Sequence, residues 1–158
     1  YFCLSVNSQH IREMDVVNHV VSLLPASIRI SDNFDRFRTV FAELFSNALE
    51  HSLLGLSSII KEGHEGFVNY YKERENRLLQ LESGAIEITI STYLSEDKTK
   101  IKIKLEDNGD GFDVNTVKAN SFDLNQTWGR GIALVRSLSE ELRYSNQGRV
   151  VEAIISVE

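Results

Sequence analysis

The spacing of apolar residues changes along the chain between a strand period and a helical period. Residues 2–6 alternate as a short strand does, and helical spacing follows up to Pro25, the only proline. Ser31 or Asp32 is expected to cap a second helix by accepting a hydrogen bond from its first N–H groups. One face of that helix is apolar and consists of Phe34, Phe37, Phe41, Leu44, Phe45 and Ala48.

The second half of the chain contains most of the predicted strands. In order, the pattern predicts one or two charged amphipathic helices within 61–82, strands at 86–90 and 101–105 joined by a polar turn, a glycine-rich turn at 107–111, a helix at 131–140, and strands at 142–146 and 150–157. Gly148 is expected to form the last turn. Runs of helices combined with these strands predict an α+β sandwich, in which a mixed, mostly antiparallel sheet carries helices on one face.

Composition narrows the functional classes. The 158 residues suit one soluble domain, and 17 Lys and Arg against 23 Asp and Glu give a net charge of −6, which argues against a nucleic-acid partner. The single cysteine, Cys3, excludes an internal disulfide and a Cys-based zinc site, and it predicts a cytoplasmic location. No apolar run is long enough to cross a bilayer, so no membrane partner is expected. Because the chain starts with Tyr1, we expect it to be a piece of a longer regulator.

Three polar residues follow one another at intervals of four on the second predicted helix. Steps of four residues rotate by about 400°, so Glu43, Asn47 and His51 form a stripe beside the apolar face. A carboxylate suits a general base, and an amide oxygen suits a Mg²⁺ ion that already carries phosphates and water. On spacing alone, a solvated polar face that also includes Glu50 is the other interpretation, and it stays open.

A second motif, Asp-Asn-Gly-Asp-Gly at 107–111, follows a predicted strand. Gly109 and Gly111 allow left-handed backbone and the close approach of a ligand. Asp107, at the end of the strand, is placed to accept a hydrogen bond from an exocyclic amine such as that of adenine. A plain turn is the alternative. A helix-loop-helix calcium site does not fit, because Gly109 would occupy its third ligand position.

A third motif places two glycines at the start of an apolar helix. Gly129, Arg130 and Gly131 lead directly into that helix, whose first residues are Ile132, Ala133 and Leu134. The free N–H groups and the positive end of the helix dipole make such a start an anion site. The alternative is an ordinary helix start, since these often contain glycine for other reasons. The chain has no Gly-Lys-Ser/Thr, which excludes a Walker loop, and the motif does not follow a strand in a βαβ unit, which excludes a dinucleotide fingerprint.

The order of the three motifs resembles the N box, G1 box and G2 box of the GHKL ATPases, the superfamily of gyrase, Hsp90-type chaperones, histidine kinases and mismatch-repair ATPases. Residues 41–51, FAELFSNALEH, are similar to the N box of the bacterial anti-sigma-factor serine kinases in particular. The resemblance implies one GHKL (Bergerat) domain over residues 1–158. It covers the chain except for about 55–84, which we interpret as a family-atypical helical insertion that covers one end of the sheet.

The resemblance also implies roles for the motif residues. Asn47 would hold Mg²⁺ on the ATP phosphates, and Glu43 would act as the base or orienter of the acceptor hydroxyl. Asp107 would read the adenine amine, which disfavours GTP because a carbonyl would face the carboxylate. Residues 114–128 would form the ATP lid. The other nucleotide-binding residues would be His51, Gly109, Gly111, Gly129, Arg130, Gly131, Ile132, Ala133 and Leu134.

The sequence departs from the serine-kinase pattern at two positions. Those kinases usually carry an Arg two residues before the first G2 glycine, where this chain has Thr127, so Arg130 is expected to replace it as a catalytic cation. They also often have Gly-Thr before the last strand, with a hydroxyl that supports the adenine-reading Asp, where this chain has Gly148 and Arg149. These departures make ATP binding a safer expectation than phosphoryl transfer.

The function that the resemblance implies is an ATP-dependent serine kinase and anti-sigma factor with ATP and Mg²⁺ as cofactors. It would phosphorylate an anti-anti-sigma protein of the STAS type and also bind a sigma factor, and a homodimer stays open. One alternative is a nucleotide-gated anti-sigma module with little kinase activity. Another is the catalytic domain of a histidine kinase, for which His10 and His19 are the only acceptor candidates near the N-terminus.

Overall fold

A five-stranded antiparallel sheet forms one layer of the protein. The computed structural model describes residues 1–57, 64–115 and 130–157. The strand order is β1-β2-β3-β5-β4, and each of these neighbouring pairs is antiparallel. The strands are β1 Phe2–Asn7, β2 Ala85–Ser95, β3 Lys98–Asp107, β4 Glu141–Ser145 and β5 Val150–Val157.

The helices form the second layer, on one face of the sheet. They are α1 Ser8–Glu13, α2 Val16–Leu23, α3 Ala26–Arg29, α4 Phe34–Asn47, α5 His64–Leu79 and α6 Gly131–Leu138. The central helix, α4, contacts α2, α6, β3 and β5. The buried core lies between α4 and the alternating apolar residues of the strands, which confirms the predicted α+β architecture. In the described ranges, every helix is too short or too polar to span a bilayer.

The predicted hairpin is present and tighter than its sequence suggested. Its turn consists of Glu96 and Asp97 alone, and both have positive φ, 53° and 59°. Two consecutive residues with positive φ match the right-handed twist of the flanking strands. Strand pairing therefore continues to Ser95 and Lys98, beyond the predicted ends.

The apolar face of α4 is confirmed, but its predicted cap is wrong. Phe37, Phe41 and Leu44 are fully buried, and the first two rings stack with centroids 6.0 Å apart. The N-cap residue is Asn33, whose side chain makes no capping hydrogen bond. The Ser31 hydroxyl instead donates to the carbonyl of Ile28 at 2.7 Å. This side chain therefore closes the preceding helix, α3.

The end of α4 widens into a π-helical segment, Ala48–Leu53. The Leu54 N–H donates to the carbonyl of Leu49, five residues earlier, at 2.9 Å. A π-helical turn is wider than an α-helical turn, and such turns occur often at functional sites. The stripe of three residues predicted at intervals of four, from Glu43 to His51, therefore crosses from one helical geometry into another.

The α5 helix packs against this widened segment. Tyr70 is 1% exposed, and its hydroxyl donates to the Glu50 carboxylate at 2.7 Å. Arg74 pairs with the same carboxylate, also at 2.7 Å. The Arg77 guanidinium donates to the carbonyls of Leu54 and Gly55, both at 2.9 Å. These contacts attach the described part of the predicted insertion to the end of the N-box helix.

Candidate functional site

The structure brings the described residues of all three motifs to one end of the helix layer. The Asp110 N–H donates to the carbonyl of Ser52, at the end of the N-box helix, at 3.1 Å. The Glu43 carboxylate lies against Gly131 at the start of α6. The N-box helix, together with Ser52 directly after the N box, therefore contacts both other motifs.

The polar stripe of α4 faces the start of α6. A Cβ atom on Gly131 would overlap Glu43 Oε2 and would lie 4.0 Å from Asn47 Oδ1. Asn47 is 8% exposed, and Glu43 is half-buried. This burial contradicts the interpretation of the stripe as a solvated polar face. Two oxygen atoms instead point toward a helix start whose first N–H groups have no partner within the helix.

Two buried polar groups beside this stripe lack hydrogen-bond partners among the described residues. They are Asn47 Nδ2 and the hydroxyl of Tyr144. The two side chains lie next to each other, although neither atom makes a hydrogen bond of normal geometry. Burial raises the pKa of Tyr144 to about 12, and the neighbouring Asn47 amide opposes that rise. Unsatisfied buried groups cost free energy, and each one requires an explanation such as strain, a functional role, or a bound water or ion.

Asp107 lies at the end of β3 with its carboxylate buried. It is 6% exposed, and its Oδ1 accepts hydrogen bonds from the Ser52 hydroxyl at 2.5 Å and from the Gly109 N–H at 2.9 Å. Burial raises the pKa of Asp107, while these two hydrogen bonds and the nearby Arg149 oppose the rise. Among the described residues, Oδ2 accepts no hydrogen bond, and it can therefore accept one from a ligand amine.

The glycines of the second motif are needed for contacts within the protein. A Cβ on Gly109 would overlap the Ser52 carbonyl, and one on Gly111 would overlap the carbonyl of Gln147. Gly111 also has a positive φ of 76°. The structure therefore shows one reason for both glycines, which is that a neighbouring stretch of backbone lies too close to allow a side chain. Their contact with a nucleotide stays a prediction.

His51 is buried and makes contacts within the protein. Its Nδ1 lies 2.8 Å from the carbonyl of Leu56, so Nδ1 carries the proton, because a carbonyl only accepts. Its ring is 5.4 Å from the ring of Phe112, which in turn is 5.9 Å from the ring of Tyr144. His51 therefore supports the residue that follows the second motif, and its contact with a nucleotide stays a prediction.

The start of α6 is described only from residue 130 onward. The Arg130 side chain is exposed, Ile132 is buried, Ala133 is half-buried and Leu134 is 39% exposed. Of this group, Ile132 is thus a core residue, whereas Arg130 reaches solvent at the helix start. Gly129, Thr127 and the predicted lid from residue 116 onward lie outside the described residues.

A cavity of about 650 Å³ adjoins the site. Its described lining includes Gly111, Phe112, Arg136 and Tyr144, but not Glu43, Asn47 or Asp107. The cavity meets the site at Gly111 and Tyr144, and its volume lies in the range of ligand pockets. Sequence reasoning missed Phe112, Arg136 and Tyr144. The one sequence signal for Tyr144 is the alternation of the predicted strand at 142–146, which puts it on the same face as Leu142.

The oxygen donors at this site fit a magnesium ion that arrives with a nucleotide. Among the residues that the structure describes, no group of three or more His, Cys, Asp or Glu side chains is arranged to hold a metal by itself. Mg²⁺ usually keeps several waters and takes one or two protein oxygens together with substrate phosphates. Asn47 Oδ1, with Glu43 Oε2 close by, supplies this kind of partial ligand set.

Asn47→Ala is expected to weaken ATP binding in the presence of Mg²⁺ and to have little effect on binding in EDTA. The reason is that the Asn47 amide oxygen would ligate the ion, whereas no described contact places the Asn47 side chain beside the adenine ring. Calorimetric titrations with and without Mg²⁺ measure both affinities. An equal loss under the two conditions would contradict the assignment of Asn47 to the metal.

Asp107→Asn is expected to reduce ATP affinity while the melting temperature stays unchanged or rises. The folded-state pKa of Asp107 is raised, so above that pKa the ionised carboxylate costs folding free energy. A neutral amide removes this cost and still accepts from Ser52 and Gly109. Its Nδ2 donor can, however, face the amine of adenine. Thermal melts test the expected melting temperature, and ATP titrations test the expected loss of affinity. Unchanged ATP affinity would contradict the role of Asp107.

Comparison with known proteins agrees with this arrangement. The family described as "Histidine kinase-like ATPase domain" matches residues 9–155, a range that includes all three motifs and the segment 55–84. No curated protein and no solved structure matched the chain. The family match and the meeting of the motifs at one end of the helix layer lead to the same conclusion. The chain belongs to the histidine kinase-like ATPases, the ATP-binding domains of the GHKL superfamily.

Proposed function

We propose that the chain is an ATP-dependent protein serine kinase and anti-sigma factor of bacterial partner switching. Its substrate would be an anti-anti-sigma protein of the STAS type, its second partner a sigma factor, and its location the cytoplasm. The observation that carries the proposal is the position of the Glu43 carboxylate, which lies against the start of α6 beside Asn47 Oδ1. This is where a helix start would bind phosphates.

Each side chain has a separate task in this proposal. ATP would supply the phosphoryl group, with ADP as the leaving group, and a bound Mg²⁺ would neutralise the charge of the phosphates. Asp107 Oδ2 would accept a hydrogen bond from the adenine amine, and Asn47 Oδ1 would hold the ion. Glu43 orients the acceptor hydroxyl and takes its proton. Arg130, exposed at the helix start, stabilises the charge that develops on the phosphoryl group. Such reactions depend mainly on positioning and charge stabilisation.

The two histidines near the N-terminus, His10 and His19, lie on short elements in the described part of the chain. Residues 1–24 form β1 and two short helices, α1 and α2, rather than a long dimerisation hairpin. His10 takes part in the capping box of α1, where its Nδ1 accepts from the Asn7 N–H at 3.3 Å. His19 lies exposed on α2, which has eight residues.

The chemical stability of the transferred phosphate tests this proposal. The chain is incubated with γ-labelled ATP, Mg²⁺ and a purified STAS protein, and the labelled product is exposed to acid and to alkali. A phosphoserine survives acid and is lost in alkali, whereas a phosphohistidine is lost in acid. Acid-stable label on the STAS protein supports the proposal. Acid-labile label on this chain would support the histidine-kinase alternative instead.

A parallel pull-down tests the nucleotide-gated alternative. The same STAS protein and a sigma factor are captured on the immobilised chain in ATP and in ADP. A gated module would show no label transfer, but its partner affinity would change with the nucleotide by a coupling of about 1–3 kcal/mol. Nucleotide-dependent capture without transfer would therefore contradict the kinase and leave the binding module.

A further inference from the structure

Asp107 needs a fixed orientation to discriminate between nucleotide bases. A carboxylate that rotates can accept a hydrogen bond from many donors, so selectivity for an exocyclic amine requires one oxygen to be engaged and the other to be presented. In the described part of the chain, both hydrogen bonds to the Asp107 carboxylate reach Oδ1. The protein thus engages one oxygen and leaves Oδ2 for a ligand.

We propose that Ser52 is the positioning residue that orients the Asp107 carboxylate for the adenine amine. The inference rests on the proposed role of Asp107 and adds a specificity-determining residue to it. Ser52 is 1% exposed and lies in the π-helical segment that follows the N box. Its hydroxyl is 2.5 Å from Asp107 Oδ1.

The direction of the Ser52 hydroxyl proton follows from its second partner. The Gly111 N–H donates to Ser52 Oγ at 2.9 Å. A hydroxyl has one proton to donate, and an ionised carboxylate only accepts, so this proton points to Asp107 Oδ1. The hydrogen bond favours the charged carboxylate and saturates the oxygen that faces Ser52. Hydrogen-bond donation therefore runs in one direction, from the Gly111 N–H to the Ser52 hydroxyl and from that hydroxyl to the Asp107 carboxylate.

The backbone holds Ser52 in place from the other side. Its carbonyl accepts from the Asp110 N–H at 3.1 Å, and Gly109 lies so close to the same carbonyl that a Cβ would overlap it. Both the backbone and the hydroxyl of Ser52 thus contact the 107–111 turn. A displacement of the π-helical segment would move the hydroxyl and the turn together.

The position at which the serine kinases often have a supporting hydroxyl is occupied by an arginine in this chain. The Arg149 guanidinium donates to the carbonyl of Asn146 at 3.1 Å and to its Oδ1 at 2.7 Å. Arg149 acts on Asp107 through its charge, which has no directional preference comparable to a hydrogen bond. In the described part of the chain, Ser52 is the residue whose side-chain hydroxyl contacts Asp107.

The test compares ATP with inosine triphosphate, in which a carbonyl replaces the 6-amino group of adenine. Both nucleotides are titrated with Mg²⁺ into the wild-type chain, Ser52→Ala and Ser52→Thr. Because hydrogen bonds to charged groups are the strong ones, Ser52→Ala should lower the ratio of ATP to inosine triphosphate affinity by about tenfold or more. Affinity for inosine triphosphate should stay the same. Ser52→Thr keeps the hydroxyl and should restore the ratio.

Two further variants keep the test decisive. Ser156→Ala removes another buried hydroxyl, which donates to Glu140 at the far edge of the sheet, and should leave the ratio unchanged. If Ser52→Ala does not fold, Ser52→Cys replaces the hydroxyl by a weaker donor and should lower the ratio by a smaller factor.

A wild-type ratio in folded Ser52→Ala or Ser52→Cys would overturn the role of Ser52. A wild-type chain that binds both nucleotides equally would instead overturn the role of Asp107. These two failures are therefore distinguishable.

Discussion

Glu43→Gln is expected to leave ATP bound and to slow phosphoryl transfer by about 10²–10⁴-fold, the range attributed to general-base catalysis. The amide keeps the shape of the side chain beside Gly131 but cannot take the proton of the acceptor hydroxyl. Because Glu43 is half-buried and its carboxylate lies against the start of α6, we expect the substitution to affect the reaction more than the core. The measurements are the single-turnover rate of transfer to the STAS protein, the affinity for ATP and the melting temperature.

Glu50→Gln provides the matched control in the π-helical segment that continues α4. Glu50 accepts from Tyr70 and pairs with Arg74, so its carboxylate serves the packing of α5. This variant should have a lower melting temperature and a transfer rate near that of the wild type. If Glu43→Gln transferred phosphate at the wild-type rate, Glu43 would be a structural residue of α4 and the proposed base would be wrong.

Arg130→Ala is expected to reduce phosphoryl transfer by as much as about 10³-fold, because a cation that stabilises the developing charge of the transition state has an effect of this size. Its melting temperature should not change, because the Arg130 side chain is exposed. ATP affinity should fall by a much smaller factor than the transfer rate. Transfer rates and thermal melts on the same preparations measure both effects.

Arg143→Ala is the control for Arg130→Ala, because it removes the same charge at a position away from the three motifs. Arg143 lies on the edge strand β4 with its side chain 74% exposed and pairs with Glu141 at 2.9 Å. Its neighbours along the strand, Leu142 and Tyr144, face the helix layer, so Arg143 points to the opposite face. Equal transfer rates in the two variants would show that Arg130 does not replace the missing cation at Thr127.

The fold could be predicted from the sequence because the spacing of apolar residues and the turn residues indicate the same elements along most of the chain. The alternation around Ile86 and Ile101 and the helical face around Phe41 each match one buried face. The cap of α4 was predicted wrongly because Ser31 can bond in two directions. A local pattern does not reveal that its hydroxyl donates backwards to Ile28.

The site was predictable only where its residues have fixed spacing in the sequence. Asn47, Asp107 and Gly131 belong to motifs, whereas Ser52 and Tyr144 reach the site through tertiary contacts. The π-helical segment that places Ser52 is stabilised by the Asp110 N–H and by Arg77 of α5, which are distant in sequence. A helical period read from sequence assumes 3.6 residues per turn throughout, so such widening leaves no signal in the pattern.

The most direct test of the ATP site is to map it by backbone amide NMR on the isotope-labelled chain. At 17.9 kDa, the chain is of suitable size for this measurement. ATP with Mg²⁺ should shift the amide signals of Asn47, Ser52, residues 107–111 and Gly131, and should leave those of the hairpin turn at Glu96 and Asp97 unchanged. Inosine triphosphate should shift the signals at Gly131 but affect 107–111 much less. Shifts confined to other surfaces, or no shift at millimolar ATP, would contradict an ATP site built from the three motifs.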